Sequence, residues 1–253
     1  MDLSFSLYIL LFLTGIAAGF VDAIAGGGGL ITLPVLLSVG LPPEVALGTN
    51  KLQGSFGTLS ASYNYIKKGV VKINENRAGI LYTLIGAMLG AWSVQQVSAG
   101  FVKDLVPVLL LVVFLYTLFT KEPAGGAAPP KLPRHLFFFI FGLGLGFYDG
   151  FFGPGTGSFW TAALLFFLGL NIKKASGMTR IMNFTSNIVA LAVFILGNNV
   201  LYSVGLCMAG GQIIGARLGS SLAIKKGAGL IRPLFLIVVF LTILKLFYDT
   251  YLK

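Results

Sequence analysis

Ten apolar stretches, separated by glycine, proline or charged residues, constrain the fold of this chain more than any other feature. The first half carries them at 3–25, 27–39, 46–66, 78–97 and 101–120, and the second half at 136–150, 154–170, 176–196, 200–224 and 230–251. Of the 253 residues, 56% are hydrophobic and only 10% are charged, whereas soluble domains carry about 25% charged residues. The composition therefore predicts a polytopic membrane protein embedded in a lipid bilayer.

The stretches are predicted to be helices, because backbone exposed to lipid must satisfy its own hydrogen bonds. A helix needs about 20 residues to cross the hydrocarbon core, and the stretches 27–39, 136–150 and 154–170 are shorter than this. The joins at 26–29 and 153–157 are rich in glycine and carry no charge. The first two stretches of each half are therefore expected either to cross the membrane twice or to form a re-entrant hairpin.

A linker at 121–134, rich in proline and glycine, divides the chain into a first membrane repeat at 1–120 and a second at 135–253. The letters GFVD at 19–22 align with GFYD at 146–149, and ALGTNK at 46–51 aligns with ASGMTR at 175–180. This self-similarity predicts an all-helical membrane protein made of two repeats of about five helical segments each.

The basic residues indicate how the two halves are oriented. Thirteen of the 18 lie in four short segments, at 67–77, 121–134, 173–180 and 225–232. Two apolar stretches separate each segment from the next, so all four are expected on the cytoplasmic side of the inner membrane, with both termini outside. The loop after the third stretch is then inside in the first half and outside in the second, which predicts inverted repeats. Clusters of this kind report topology and do not point to nucleic acid.

The segment GFVDAIAGGGG at 19–29, the following LP at 33–34 and ALGTNK at 46–51 resemble the sulfite exporter TauE/SafE family of bacterial permeases. The second half carries a degenerate copy, with GPGTG at 153–157 and MTR at 178–180. The resemblance implies transport of small sulfur-containing anions, such as sulfite or organosulfonates, coupled to a proton gradient. A passive anion channel and a carrier of another organic acid are the alternatives that the same residues allow.

The glycine joins and the polar starts of the third stretches are the candidate substrate site. Backbone amides at such turns, with a helix N-terminus behind them, can bind an anion. The candidate substrate-binding residues are Gly26, Gly27, Gly28, Gly29, Asn50, Lys51, Gly153, Gly155, Thr156, Gly157, Thr179 and Arg180. In contrast, Gly142, Gly146 and Gly150, and likewise Gly211, Gly215 and Gly219, have the spacing of close helix packing.

Charged residues inside the apolar blocks are costly, so they indicate function. Asp22 and Asp149 are candidates for proton coupling, and the alternative is that each caps its neighbouring glycine turn. Lys51 and Arg180 either contact the substrate, or pair with the aspartate of their own half, or lie as loop charges near lipid phosphates. Thr49, Gln53, Asn183 and Asn187 either donate to the substrate or bond between helices.

An enzyme or an assembly scaffold is the remaining class of interpretation. The sequence contains no recognisable nucleophile and base set, no metal-ligand motif and no phosphate loop for ATP, so neither an enzyme nor a cofactor is predicted. A small anionic substrate is the expected partner, and a homo-oligomer is compatible with the sequence.

Overall fold

A computed structural model of the chain describes residues 4–98 and 129–226, together with several positions between 100 and 115. All the elements in this part of the chain are helices, as the sequence predicts. In chain order they are α1 (Phe5–Ala25), α2 (Gly29–Ser38), α3 (Pro43–Lys67), a 3-10 turn (Ile73–Asn76), α4 (Arg77–Val94), α5 (Arg134–Phe137), a π-helical turn (Phe138–Gly142), α6 (Leu143–Phe151), α7 (Thr156–Leu168), α8 (Ile172–Leu196) and α9 (Tyr202–Lys226). Most of the predicted stretch at 101–120, the linker residues 121–128 and the whole stretch at 230–251 lie outside the described residues.

Polar and apolar side chains are distributed as in a membrane protein. Three segments are long and apolar enough to cross a bilayer, namely Phe5–Ala25, Ile73–Val94 and Ile172–Leu196. Large apolar side chains such as Leu196 and Trp92 are 84% and 58% exposed, whereas Lys51 and Arg180 are 1% and 0% exposed. Lipid would cover the apolar surface, and the protein itself shields the charges.

Contacts between the helices define their directions. Helices α1 and α3 each run parallel to α9, as Tyr8 meets Cys207 and Asn64 meets Ser220 in register along them. Helices α6 and α8 each run parallel to α4. The two groups are antiparallel to each other, because Gly48 near the start of α3 lies against Phe194 near the end of α8, whereas Tyr65 near the end of α3 lies against Gly177. These two central helices, α3 and α8, are both 25 residues long.

Glycines allow the outer helices to approach the backbone of their neighbours. A Cβ atom on Gly211, Gly215 or Gly219 of α9 would collide with a carbonyl group of α1. On the other side of the molecule, a Cβ on Gly146 or Gly150 would collide with a carbonyl group of α4. The prediction that these two glycine series serve close helix packing is confirmed.

Both helical hairpins turn back on themselves. Lys131 N donates to Phe167 O at 2.8 Å, so the hairpin of α5, α6 and α7 begins and ends at the same end of the molecule. Helix α2 starts beside Ala18 and Asp22 of α1, so its first residues lie alongside α1 and not beyond its end. Helix α2 leads into α3, which runs parallel to α1. It therefore returns toward the end at which α1 begins. We refer to α1 and α2 as the first hairpin and to α5, α6 and α7 as the second hairpin.

Two apolar clusters enclose a polar centre. One surrounds α2 and includes Leu33, Leu36 and Phe194, and the other surrounds α7 and includes Trp160 and Phe137. The buried polar side chains concentrate between them on the two central helices, eight on α3 and six on α8. The fold thus places polar groups where apolar clusters and lipid keep water out.

Candidate functional site

The glycine turns of the two hairpins meet at the centre of the molecule. Gly26, which ends α1, has φ +83°, and Gly155, which precedes α7, has φ +82°, a backbone conformation that glycine adopts without strain. Gly26 lies against Gly157, and a Cβ atom on either residue would collide with the backbone of the other. The two breaks in the helices are therefore in direct contact.

A cavity lies at this junction. Its volume is about 40 Å³, which is room for about three waters. The predicted site residues that line it are Asp22, Gly26, Gly28, Gly29, Asn50, Lys51, Asp149, Gly153, Gly155 and Gly157. Among the predicted residues, Gly27, Thr156, Thr179 and Arg180 do not line it.

Two of the predicted residues outside the lining have local roles. Thr156 Oγ1 donates to the Gly153 carbonyl at 2.6 Å, which braces the turn before α7. Thr179 and Thr161 share a hydrogen bond of 3.0 Å between their hydroxyl groups. The first contact lies within the second hairpin, and the second joins α7 of that hairpin to α8.

Lys51 and Asp149 form a buried ion pair, which we call the lysine pair. Lys51 Nζ lies 2.6 Å from Asp149 Oδ1, and the side chains are 1% and 5% exposed. Lys51 also donates to the backbone carbonyl of Asp149, and Ser186 Oγ donates to Asp149 Oδ2. Both carboxylate oxygens are thus hydrogen-bonded, as a buried charge requires.

Arg180 and Asp22 form a second ion pair, the arginine pair. Arg180 Nη1 lies 3.0 Å from Asp22 Oδ2 and also donates to the Asp22 carbonyl. Asp22 Oδ1 accepts a hydrogen bond of 3.1 Å from Gly28 N, so this aspartate does cap its own glycine turn. Nε and Nη2 of Arg180 are buried and have no hydrogen-bond partner among the described residues.

Each pair joins a hairpin of one half to the central helix of the other half. Of the alternatives left open by the sequence, pairing of each cation with the aspartate of its own half is therefore wrong, because each hairpin packs against the central helix of the other half. Arg180 is also not a loop charge, since it is the ninth residue of α8, as Lys51 is of α3. Because the two helices are antiparallel, the pairs are displaced in opposite directions from the middle, each by about four residues or about 6 Å.

Neutral polar side chains complete the cavity lining. They include Gln53, Thr58, Asn183, Asn187 and Gln212. Sequence reasoning left Gln53, Asn183 and Asn187 open between substrate contact and helix contact, and it missed Gln212 and also Ser186. The signal for Gln212 was a lone amide within an apolar, glycine-rich helix, a type of residue that is costly in a membrane.

Comparison of the sequence with known proteins places the chain in a family. The sequence profile described as sulfite exporter TauE/SafE matches residues 11–246. The chain belongs to the TauE/SafE family. It is 43% identical over 249 residues to a probable membrane transporter protein of Haemophilus influenzae, with 98% of each chain covered. It is 41% identical over 241 residues to the probable membrane transporter protein YfcA of Escherichia coli, covering 95% of this chain and 90% of that one.

Membership of the TauE/SafE family establishes the chain as a membrane-embedded transporter and confirms the prediction that it is not an enzyme. A more distant relative, the probable membrane transporter protein YdhB of Bacillus subtilis, is 26% identical over 188 residues, which is 73% of this chain and 74% of that one. No solved structure matches the chain. Within the described part of this TauE/SafE protein, no three His, Cys, Asp or Glu side chains come together to hold a metal ion.

Proposed function

We propose that the protein is a secondary transporter of small sulfur-containing anions, such as sulfite or organosulfonates, that couples each anion to protons. The observation that carries this proposal is Lys51, a cation that lines a small buried cavity and is held there by Asp149. A buried ammonium group can neutralise an oxyanion, and a cavity of this size fits a group of a few heavy atoms.

The charge balance of the site supports proton coupling. Lys51 and Arg180 carry two positive charges, and Asp22 and Asp149 carry two negative ones. An anion that enters this neutral site, which the two apolar clusters enclose, adds an uncompensated charge, which is costly. A proton that binds a carboxylate oxygen of Asp149 restores neutrality and frees the Lys51 ammonium to donate to the anion. One proton then accompanies each singly charged anion.

The glycine turns support anion binding without a permanent cage. Helices α2 and α7 begin at Gly29 and Thr156, so their positive ends point from the two turns toward the middle. Gly28, Gly153 and Gly155 expose backbone at the cavity wall. Backbone dipoles hold an oxyanion more weakly than a full charge, which suits a carrier that must release its substrate.

The helix directions support the inverted repeat. Corresponding helices of the two halves, α1 and α6, α3 and α8, and α4 and α9, run in opposite directions. The lysine pair and the arginine pair lie on opposite sides of the middle and each joins the two halves. We infer that alternating access opens one pair at a time, so that the cavity faces first one side and then the other.

Charged contacts at one end support the proposed orientation in the inner membrane. Glu75, between α3 and α4, lies 3.2 Å from Lys174 at the start of α8, and Arg134 donates to the Glu75 carbonyl. Three basic segments thus meet at one end, which we assign to the cytoplasm, with the N-terminal end of α1 opposite.

Flux into liposomes tests this function. Purified protein is offered sulfite, thiosulfate, sulfoacetate, sulfate and chloride, with and without an imposed pH gradient, and initial rates are measured against concentration. We expect saturable uptake that selects sulfur oxyanions over chloride, is lost in Lys51→Ala, and is retained in Lys67→Ala, an exposed lysine at the end of the same helix. Equal uptake of chloride, or wild-type rates in Lys51→Ala, would refute the proposal.

A further inference from the structure

A chain of hydrogen bonds between neutral side chains runs along the cavity wall from Gln212 on α9 to Asn50 beside Lys51. Gln212 Nε2 donates to Gln53 Oε1, and Gln53 Nε2 donates to Asn50 Oδ1 at 2.7 Å. Thr32 Oγ1 donates to the same Asn50 oxygen at 2.5 Å. None of these four side chains is more than 6% exposed. We call Gln212, Gln53 and Asn50 the amide relay.

The amide relay gives the Asn50 side chain a fixed direction. Its oxygen already accepts two hydrogen bonds, from Gln53 and Thr32, which use both of its lone pairs. No group in the described part of the chain accepts a hydrogen bond from Asn50 Nδ2, and Asn50 lines the cavity. An amide held in this way presents a donor, not an acceptor, to whatever occupies the cavity.

Gln212 is seated closely at the far end of the relay. Its Oε1 lies against two glycines, and a Cβ atom on Gly19 or Gly57 would collide with it. The side chain therefore fills a slot between α1 and α3 that only glycine leaves open. This seat fixes the Gln212 amide, and the Gln212 amide in turn orients Gln53.

The described part of the second half, up to residue 226, has no equivalent relay. The residue two positions after Arg180 is Met182, where Gln53 stands two positions after Lys51. Met182 Sδ lies 3.5 Å from Thr83 Oγ1 of α4, in the place of the contact between Gln53 and Gln212. A thioether has no proton to donate, so it cannot orient a third group. The cavity therefore has its oriented donor on the Lys51 side.

We propose that Gln212 and Gln53 are positioning residues that hold the Asn50 amide as a hydrogen-bond donor to the substrate, which makes the Lys51 side of the cavity selective for groups that only accept hydrogen bonds. This inference rests on the proposed function. It assigns to this wall the oxygen atoms of a sulfonate or sulfite, and it excludes from it a substrate amino group. A sulfonate or sulfite oxygen accepts the hydrogen bond that the Asn50 amide donates. A substrate amino group is itself a donor, so it and the Asn50 amide would both stay unpaired.

Exchanging relay residues for their counterparts in the second half tests this inference. Gln53→Met and Gln212→Thr introduce these counterparts, Asn50→Ala removes the donor itself, and Thr83→Val is the matched control on the other side. In liposome flux of an organosulfonate, we expect each relay variant to raise KM about tenfold or more, because a hydrogen bond to a charged group is lost. We expect kcat to stay within about twofold, and Thr83→Val to keep the wild-type KM.

A double-mutant cycle separates positioning from general damage. If Gln212 acts through Asn50, adding Gln212→Thr to Asn50→Ala raises KM no further, whereas independent structural effects would multiply. Multiplying effects, or a wild-type KM in Gln212→Thr while Lys51→Ala still abolishes flux, would overturn the relay alone. Absence of sulfur-anion flux in the wild type would overturn the proposed function and the relay with it.

Discussion

Lys51 and Asp149 lie 98 residues apart in the chain, yet Lys51 Nζ is 2.6 Å from Asp149 Oδ1 at the wall of the central cavity. The pair joins α3 of the first half to α6 of the second, and the arginine pair makes the reciprocal connection from α8 to α1. A charge buried this deeply is retained only with a partner, since the loss of one partner leaves the other uncompensated. The two pairs are therefore a structural link between the halves, and in the proposed function Lys51 would also serve the anion.

The arginine pair is expected to be a strong structural link. Arg180→Ala leaves the Asp22 carboxylate without its cation and should cost about 3–5 kcal/mol of stability. Lys174→Ala removes an exposed pair with Glu75, whose side chains are 37% and 40% exposed, and should cost less than about 1 kcal/mol. Denaturant unfolding in detergent, followed by circular dichroism, measures both losses. Losses of equal size would contradict this assignment.

Close packing between α6 and α4 can be tested at two glycines of the same helix. A Cβ on Gly150 would collide with the Ala87 carbonyl, whereas a Cβ on Gly144 meets no atom within 4 Å. Gly150→Ala should therefore destabilise the protein by about 1–3 kcal/mol through overpacking, and Gly144→Ala should leave its stability unchanged or slightly raised. The melting temperature in detergent reports both. A neutral Gly150→Ala would show that the helices can separate without cost.

Contact between the two glycine turns should matter more than their backbone conformation. Gly26 and Gly69 both have positive φ, +83° and +70°, but only Gly26 is crowded, by Gly157. Gly69→Ala should cost about 1 kcal/mol of stability and keep full transport. Gly26→Ala should abolish transport, because the two turns must move apart to admit the new methyl group. Transport at the wild-type rate in Gly26→Ala would contradict the site that the turns define.

Single cysteines in a Cys207→Ser background test the orientation. Cys207 is the lone cysteine of the chain, so its removal leaves no competing thiol. A membrane-impermeant thiol reagent should label Lys68→Cys and Lys173→Cys from the cytoplasmic side, and Asn198→Cys from the opposite side. Labelling of Lys68→Cys and Lys173→Cys from different sides would refute the inverted arrangement.

The glycine turns and their acidic residues were accessible from the sequence because both copies of the repeat keep them. Asp22 and Asp149 precede the turns at matching positions, and the structure brings both to one cavity. The sequence also predicted helices and the glycine packing series, since both depend on local spacing and composition. Each of these features depends on residues that lie close together in the sequence, within one half of the chain.

The cross-pairing of the ion pairs could not be predicted in the same way. A repeat tells which residues are equivalent, but not whether a hairpin packs on its own half or on the other half. Lys51 and Arg180 therefore pair with the aspartate of the other half, whereas the sequence suggested only the aspartate of the same half as an ionic partner. Ser186 escaped notice for a related reason, since a serine in an apolar helix usually bonds to its own backbone. Only the packing of α6 against α8 shows that it also donates to Asp149.

The most direct test of the account is the proton coupling of Asp149→Asn, which keeps the shape of the side chain but cannot take up a proton. The substrate is an organosulfonate whose only ionisable group is the sulfonate, because its charge stays at −1, whereas sulfite takes up a proton near neutral pH and changes its charge. A pH dye inside the liposomes records proton entry. With a one-unit inward pH gradient, the wild type and the Glu75→Gln control should accumulate the anion up to about tenfold as the interior acidifies. Asp149→Asn should move the anion only to equal concentrations, with no proton entry. Wild-type accumulation by Asp149→Asn would contradict the coupling assigned to the lysine pair.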